Sequence, residues 1–251
     1  MSKLFLATRR DFLKGSAATA GALTIGFVLP ITTRYAQAAD QFAPNAFLRL
    51  ETDGKISVLC GLSEMGQGVH TGIAMLVAEE LDADWQQVSV QQAPVDEAYN
   101  NPLFGLQGTG GSTSIRGHWE PMRKAGAAAR QMLVAAAAAK WQVEPAECRT
   151  ENARVIHRDG RSLSYGELVS AASGLPLPGE PTLKDPADFR ILGKELTRLD
   201  TPAKLNGSAE FGLDVRLPGM LVAVMAHAPV PGAKVVSVDD AAAKAIPGVR
   251  H

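Results

Sequence analysis

Two glycine-rich segments carry the groups best suited to holding an anionic ligand. The first is Glu64-Met65-Gly66-Gln67-Gly68-Val69-His70-Thr71, a polar loop that opens into an apolar-periodic stretch. Free backbone N–H groups at a helix N-terminus favour a phosphate or an oxo group. Gly66 and Gly68 let such a ligand approach the main chain, and Gln67 adds a donor and an acceptor on a flexible arm. The second is Gly108-Thr109-Gly110-Gly111-Ser112-Thr113-Ser114, with exposed amides, small hydroxyls and a helix following. Singly, each pattern also reads as a structural turn or a loop with a capping serine. Two of them about 45 residues apart, each ahead of a helix, suggest convergence on one elongated phosphate-bearing cofactor.

Other chemistries are excluded or weakened by what the chain contains. Its two cysteines, Cys60 and Cys148, make no CxxC motif and are too few for a thiolate-held iron–sulfur cluster. There is no GxxxxGK[ST] loop and no GxSxG elbow. His70, His118, His157, His227 and His251 show no metal-ligand spacing, and His70 and His227 read as hydrogen-bonded scaffold residues. Gly108-x-Gly110-Gly111 resembles part of a dinucleotide fingerprint. A long irregular stretch precedes it, however, and no second strand ending in an acid follows at the expected distance.

The elements that must position the two loops are legible in the apolar pattern. Phe47 to Cys60 reads as a hairpin turning at Asp53-Gly54. Val69, Ile73, Leu76, Val77 and Leu81 recur at helical spacing, with Glu79-Glu80 assigned to a solvated face, and a strand follows over Val88 to Gln91. Residues 92–111 are irregular, and a loop of that length inside a domain usually serves function. The Ala-rich helix through Pro121 to Lys140 begins near Trp119, or near Ser114 with a kink at Pro121. A hairpin around Arg158 to Arg161, a helix over Tyr165 to Ala172 and a Pro/Gly-rich linker from Gly174 to Pro186 come next. The last stretch reads as strands over Leu221 to His227 and Lys234 to Val238, then a helix over Asp239 to Ala245 capped by Asp239 or Asp240.

The 251 residues are 46% hydrophobic and 20% charged with a net charge of −1, ordinary for a globular protein and against a strongly basic nucleic-acid binder. The balance is uneven. Residues 1–38 hold five basic residues against Asp11, so the remainder is acidic. Arg9-Arg10, the weakly apolar stretch Gly15 to Ile31 and Ala36-Gln37-Ala38 follow the order of a twin-arginine export peptide. Gly15, Gly21 and Gly26 make the stretch a poor membrane span. The expectation is a periplasmic protein, exported folded.

Glu64 to Thr71 closely resembles the EMGQGxHT segment of the xanthine dehydrogenase and aldehyde oxidase family of molybdenum hydroxylases. Gly111-Ser112-Thr113-Ser114 looks like that family's second pterin-contacting stretch. Phe211 to Leu221, Pro229 to Val235 and Ala245 to Val249 are similar to the opening of its α/β hammerhead domain, with Lys204, Gly207 and Ala209 fitting the lead-in. Having the molybdenum-domain segment first resembles large (beta) subunits of the isoquinoline 1-oxidoreductase type. The resemblance implies an α/β (α+β) fold divided into three parts. These are a signal over 1–38, a molybdopterin-binding domain segment over 39–180 and a partial hammerhead domain over 181–251.

For the site, it implies that Met65, Gly66 and Gln67 contact the molybdopterin–molybdenum centre. Gly111, Ser112 and Ser114 would hold the pterin and its phosphates as a cytosine dinucleotide. The implied reaction is hydroxylation of an aldehyde or N-heterocycle with water as oxygen source. Electrons would pass to a [2Fe–2S] small subunit, with the remainder of the large subunit as a further partner. No residue matches the family's late general-base glutamate, its glycine–phenylalanine loop or its GGQE-like segment. The expectation is therefore an N-terminal piece that is inactive alone. A nucleotide-binding oxidoreductase and a non-catalytic remnant or scaffold are the rival readings.

Overall fold

The computed structural model describes residues 23–26 and 46–250, so the expected leader lies outside the described residues except for Leu23–Gly26. Two units are distinct, residues 1–208 and 209–251. In the first, β1 (Leu23–Gly26), β2 (Ala46–Leu50), β3 (Ile56–Cys60) and β4 (Val88–Gln92) form one sheet in that spatial order. The β2–β3 hairpin turns where expected. Gly54 takes φ +91°, which a side chain disfavours, and Asp53 Oδ1 accepts from Lys55 N at 2.9 Å.

β3 and β4 are parallel, with Ile56 beside Val88, and the crossover between them is α1 (Val69–Leu81). This β-α-β unit places the first glycine loop at the carboxyl end of β3, the edge where open α/β sheets commonly bind ligands. After the irregular stretch comes α2 (Ser114–Trp141), a 28-residue helix that starts at the earlier of its two expected positions and contains Pro121. β5 (Cys148–Glu151), β6 (Arg154–His157) and β7 (Ser162–Ser164) make an antiparallel meander. α3 (Tyr165–Ser173) follows, opened by a Ser164–Glu167 capping box.

The core joins Leu48, Leu50, Ile56 and Val58 of the sheet to Ile73, Leu76, Val77 and Leu81 of α1, Met122 and Leu133 of α2, and Leu168 and Val169 of α3. Each such aliphatic side chain is worth roughly 1.5–3 kcal/mol when fully buried. Tyr165 is fully buried among them and its hydroxyl donates to Leu81 O at 2.6 Å. α1 and α2 approach closely because Gly72 faces Ile115 and Gly126 faces Val77 and Glu80. A Cβ on Gly126 would lie 2.4 Å from Val77 O. Early residues of one helix meet early residues of the other, so the two run parallel and their N-termini share one end.

Glu79 and Glu80 are not a solvated face; both are fully buried. Glu79 Oε2 accepts from the consecutive amides of Arg190, Ile191 and Leu192 at 3.0, 2.7 and 2.9 Å, and its Oε1 from Lys184 Nζ at 2.9 Å. Glu80 pairs with Arg123 at 2.7 Å. With Asp82 and Arg130, these groups balance three acids against three bases. The same bonds return residues 184–192, beyond the expected boundary at 180/181, to α1, and the first compact unit runs to Ser208. α4 (Thr201–Asn206) completes it.

The second unit is exposed from Glu210 to Arg250, and the strands expected over 221–227 and 234–238 do not form. Leu221, Val222, Val224, Met225, Val235 and Val236 have no apolar layer to cover them, and no ladder partner is present among the described residues. His227, expected as scaffold, is exposed here. The helix shortens to α5 (Ala241–Lys244), with Asp239 Oδ1 accepting from Ala241 N at 3.3 Å. No helix among the described residues is long and apolar enough to cross a membrane.

Candidate functional site

The two glycine loops do converge. Ser63 N donates to Thr109 Oγ1 at 2.8 Å, tying the start of the first loop to the middle of the second. Behind this tie, the parallel packing of α1 and α2 brings both helix N-termini to the same end. Sequence reasoning missed Thr109 as the linking side chain, although it lies within the second segment.

The two N-termini are unequal. At α1, Glu64 turns its carboxylate onto the helix's own amides. Gly66 N and Gly68 N donate to Oε1 at 2.8 and 2.9 Å, and His70 N to Oε2 at 3.1 Å. Burial pushes the Glu64 carboxyl up, but the amides of Gly68, His70 and Gly66, with Arg198, outweigh it and hold the group below the usual carboxylate value. The anion expected at this end is therefore the protein's own. Gly66 and Gly68 take φ +102° and +83°, which bends the loop around the carboxylate. Gln67 is also engaged: Met65 N donates to its Oε1 at 2.6 Å and its Nε2 donates to Ser63 O at 2.8 Å. His70 is a scaffold residue as expected, its Nε2 lying 3.0 Å from Leu62 O.

What the first loop offers outward is Met65, 70% exposed, and the surface over Gly66, where an added Cβ would meet nothing within 4 Å. At α2 the N-terminus has no side-chain cap. Thr113, which could have capped it, turns its hydroxyl to Gly110 O at 2.8 Å and accepts from the buried Asn101 Nδ2 at 2.8 Å. Gly111 and Ser112 both take left-handed conformations, φ +58° and +54°. Successive amides in such a turn can face an anion together. Gly110 and Gly111 are exposed, Ser112 is exposed, and Ser114 is partly so. The structure thus brings the segments holding Met65, Gly66, Gln67, Gly111, Ser112 and Ser114 to one end of the helix pair.

Two further residues belong to this region without any sequence signal. Asn101 is fully buried and also accepts from Leu103 N at 3.0 Å, which fixes the loop beneath the glycines. Arg198 reaches the first loop from far along the chain, donating to Gly66 O at 2.9 Å. His118 is buried, with Nδ1 2.9 Å from Ser114 O; burial pushes its pKa down against the lift from that carbonyl. No group of metal-binding side chains occurs among the described residues. The dinucleotide rival loses ground as well, because β4 ends at Gln92 and no strand runs directly into Gly108.

The family model of a molybdopterin cofactor-binding domain matches residues 7–207. The chain belongs to this family. The match bears out the resemblance to molybdopterin-binding proteins of the xanthine dehydrogenase type. Over 283 aligned residues the chain is 36% identical to the beta chain of isoquinoline 1-oxidoreductase from Brevundimonas diminuta, covering 97% of this chain and 36% of that one. It is 35% identical over 257 residues to the membrane-bound aldehyde dehydrogenase [pyrroloquinoline-quinone] of Gluconacetobacter polyoxogenes, covering 96% and 32%. It is 32% identical over 212 residues to one subunit of the nicotinate dehydrogenase of Pseudomonas putida, covering 81% and 17%. The chain therefore spans about a third of the length of the first two of these relatives.

Proposed function

We propose that this chain forms part of the cofactor cradle in the large subunit of a molybdenum hydroxylase. The observation that carries the reading is the Ser63–Thr109 bond, which joins two glycine loops at the common end of two parallel helices in a chain of the molybdopterin-binding family. The residues present fit such a cofactor. An added Cβ at Gly66 or Gly110 would meet nothing within 4 Å, so a flat ring system can approach the main chain there. The uncapped start of α2, with Gly111 and Ser112 in left-handed conformations, suits a phosphate.

In this reading Gly111, Ser112 and Ser114 hold the phosphates, and a cytosine dinucleotide is the form that would occupy the length of the cradle. Met65, Gly66 and Gln67 border the metal end. When bound, the group supplies two-electron oxidation of a carbon centre with water as the oxygen source. The chain's own residues bind and orient it. Gln67 keeps the loop's shape through its bonds to Met65 N and Ser63 O, and Glu64 neutralises the amides of α1 so that the ligand is drawn to α2. The relatives' names support a substrate that is an N-heterocycle or an aldehyde. The proposal extends to a [2Fe–2S] subunit as electron acceptor and to further large-subunit sequence as partner. The arginine pair Arg9-Arg10 and the Ala36-Gln37-Ala38 signal support twin-arginine export to the periplasm.

The test is to produce the chain in a bacterial host with its companion subunits and assay molybdenum and pterin in the periplasmic fraction. Wild type should retain both, and Gln67→Ala should retain severalfold less, because a polar contact beside the cofactor is lost and Met65 N is freed. Wild-type complex with flavin or nicotinamide and no molybdenum would refute the reading. Equal molybdenum in Gln67→Ala would remove Gln67 from the cradle.

A further inference from the structure

The first glycine loop is held by a side chain from outside both glycine segments. Arg198 spreads its guanidinium over three acceptors: Nη1 donates to Gly66 O at 2.9 Å, Nη2 to Glu64 Oε1 at 3.3 Å, and Nε and Nη2 to the Asp200 carboxylate at 2.9 and 2.8 Å. Its neighbour Leu199 donates its amide to Thr71 Oγ1 at 3.1 Å, so the segment is stitched to the first turn of α1 as well. Asp200 is itself gripped by Lys204 Nζ at 2.5 Å. Its carboxyl is held at about 2 by the bonds from Arg198 and Lys204.

We infer that Arg198 is a positioning residue for the cofactor-facing loop, fixing Gly66 and the Glu64 carboxylate in one geometry. This rests on the proposed cofactor cradle for its consequence, though not for its structural content. Gly66 O and Glu64 Oε1 lie on either side of the Met65 turn. A planar fork that donates to both prevents the turn from flattening. Without the fork, the Gly66 carbonyl loses its side-chain partner, and the turn at φ +102° rests on the bond from Gly66 N to Glu64. Glu64 would then share its carboxylate between the amides and water. Met65 and Gln67 would sample several positions, and a rigid ring system would bind to a disordered edge. The charge of Arg198 also offsets Glu64, keeping a bare carboxylate from repelling an anionic ligand at the adjacent α2 terminus.

The test uses the full chain. Amide hydrogen exchange at Gly66, Gly68 and His70 should rise about tenfold or more in Arg198→Gln. The amides of Ile56 and Val58 in β3 should be unchanged. Arg198→Lys, which keeps the charge but not the fork, should fall between the two. Glu64→Gln, made separately, should raise the same three amides. In the complex assembled with companion subunits, Arg198→Gln should retain at least threefold less molybdenum than wild type. Unchanged exchange at the three amides overturns the inference, as does a rise shared equally by Ile56 and Val58. Full rescue by lysine would show that charge alone suffices and overturn the geometric role. If wild type itself holds no molybdenum, the cradle reading falls, while the exchange result still decides what Arg198 does.

Discussion

Removing the Glu79 carboxylate should release residues 184–192 from α1 and weaken the first unit. In the native structure this buried group receives three backbone amides and one ammonium, at 2.7 to 3.0 Å. Hydrogen bonds to a charged partner contribute about 1.5–3 kcal/mol each. Their simple sum overstates the loss, because the freed amides regain water once the segment lifts. Breaking a buried ion pair by deleting one member costs about 3–5 kcal/mol, and we expect that range for Glu79→Ala. For a unit of this size, each kcal/mol moves the unfolding midpoint by about 2–4 °C, so the drop should be roughly 6–20 °C. Glu79→Gln keeps one accepting oxygen but turns an NH₂ toward Lys184, and should lose about half as much.

The pH dependence supplies an independent check. Burial pushes the Glu79 carboxyl up, and the amides of Leu192 and Ile191, the Lys184 ammonium and the Arg190 amide outweigh it, so the folded value lies below 4.5. A depressed carboxyl contributes its full stability above 4.5 and loses it as pH falls through the folded value. The gap between wild type and Glu79→Ala should therefore be constant from about pH 7 to about 5 and narrow below. Thermal scans across that range, with hydrogen exchange of residues 184–192 at neutral pH, measure both effects. A midpoint within about 1 °C of wild type at neutral pH, or protection of 190–192 unaltered, would refute the clamp.

Gly126→Ala should destabilise despite the better helix preference of alanine. The preference gains about 1 kcal/mol, but the new Cβ falls 2.4 Å from Val77 O, which is backbone and cannot swing aside. Overpacking of this kind costs about 1–3 kcal/mol, so urea unfolding should show a net loss of about 1 kcal/mol. Cys60 should resist thiol reagents: burial pushes its thiol up to about 11. On the order of one such group in a thousand is ionised at about pH 8. Disulfide-exchange titration should label Cys148 first and Cys60 only on unfolding, and rapid labelling of Cys60 in the native chain would contradict its burial.

Much of the scaffold was legible because its signals are local. Asp53-Gly54 dictates the hairpin, and the 3.6-residue recurrence of Val69 to Leu81 dictates α1. The failures share one cause. Glu79 and Glu80 look solvent-facing because charged pairs on a helix usually are, and the partners that bury them come from 184–192, read as linker sequence and its continuation, and from Arg123 and Arg130 of α2. The strands over 221–227 and 234–238 have the apolar pattern, but a strand exists only with a ladder partner and a layer beneath it. Local pattern cannot supply either.

The candidate site divides along the same line, and the division bears on how it works. Convergence of the two glycine loops was legible from their types and spacing, and the Ser63–Thr109 bond realises it. The expectation that both helix starts offer free amides was half wrong, because Glu64 occupies those of α1. A carboxylate reaching forward over two, four and six residues is no standard capping pattern, and it works only because Gly66 and Gly68 fold the loop back on it. The consequence is directional. Two equivalent anion sites side by side would let a phosphate choose either end, whereas a filled α1 terminus beside an open α2 terminus leaves one. In the proposed cradle an elongated ligand would then take a single orientation, with its phosphates toward Gly111 and Ser112 and its other end across Gly66 and Met65. Glu64→Ala would restore the ambiguity, and the glycine loop would then compete with α2 for the same charge.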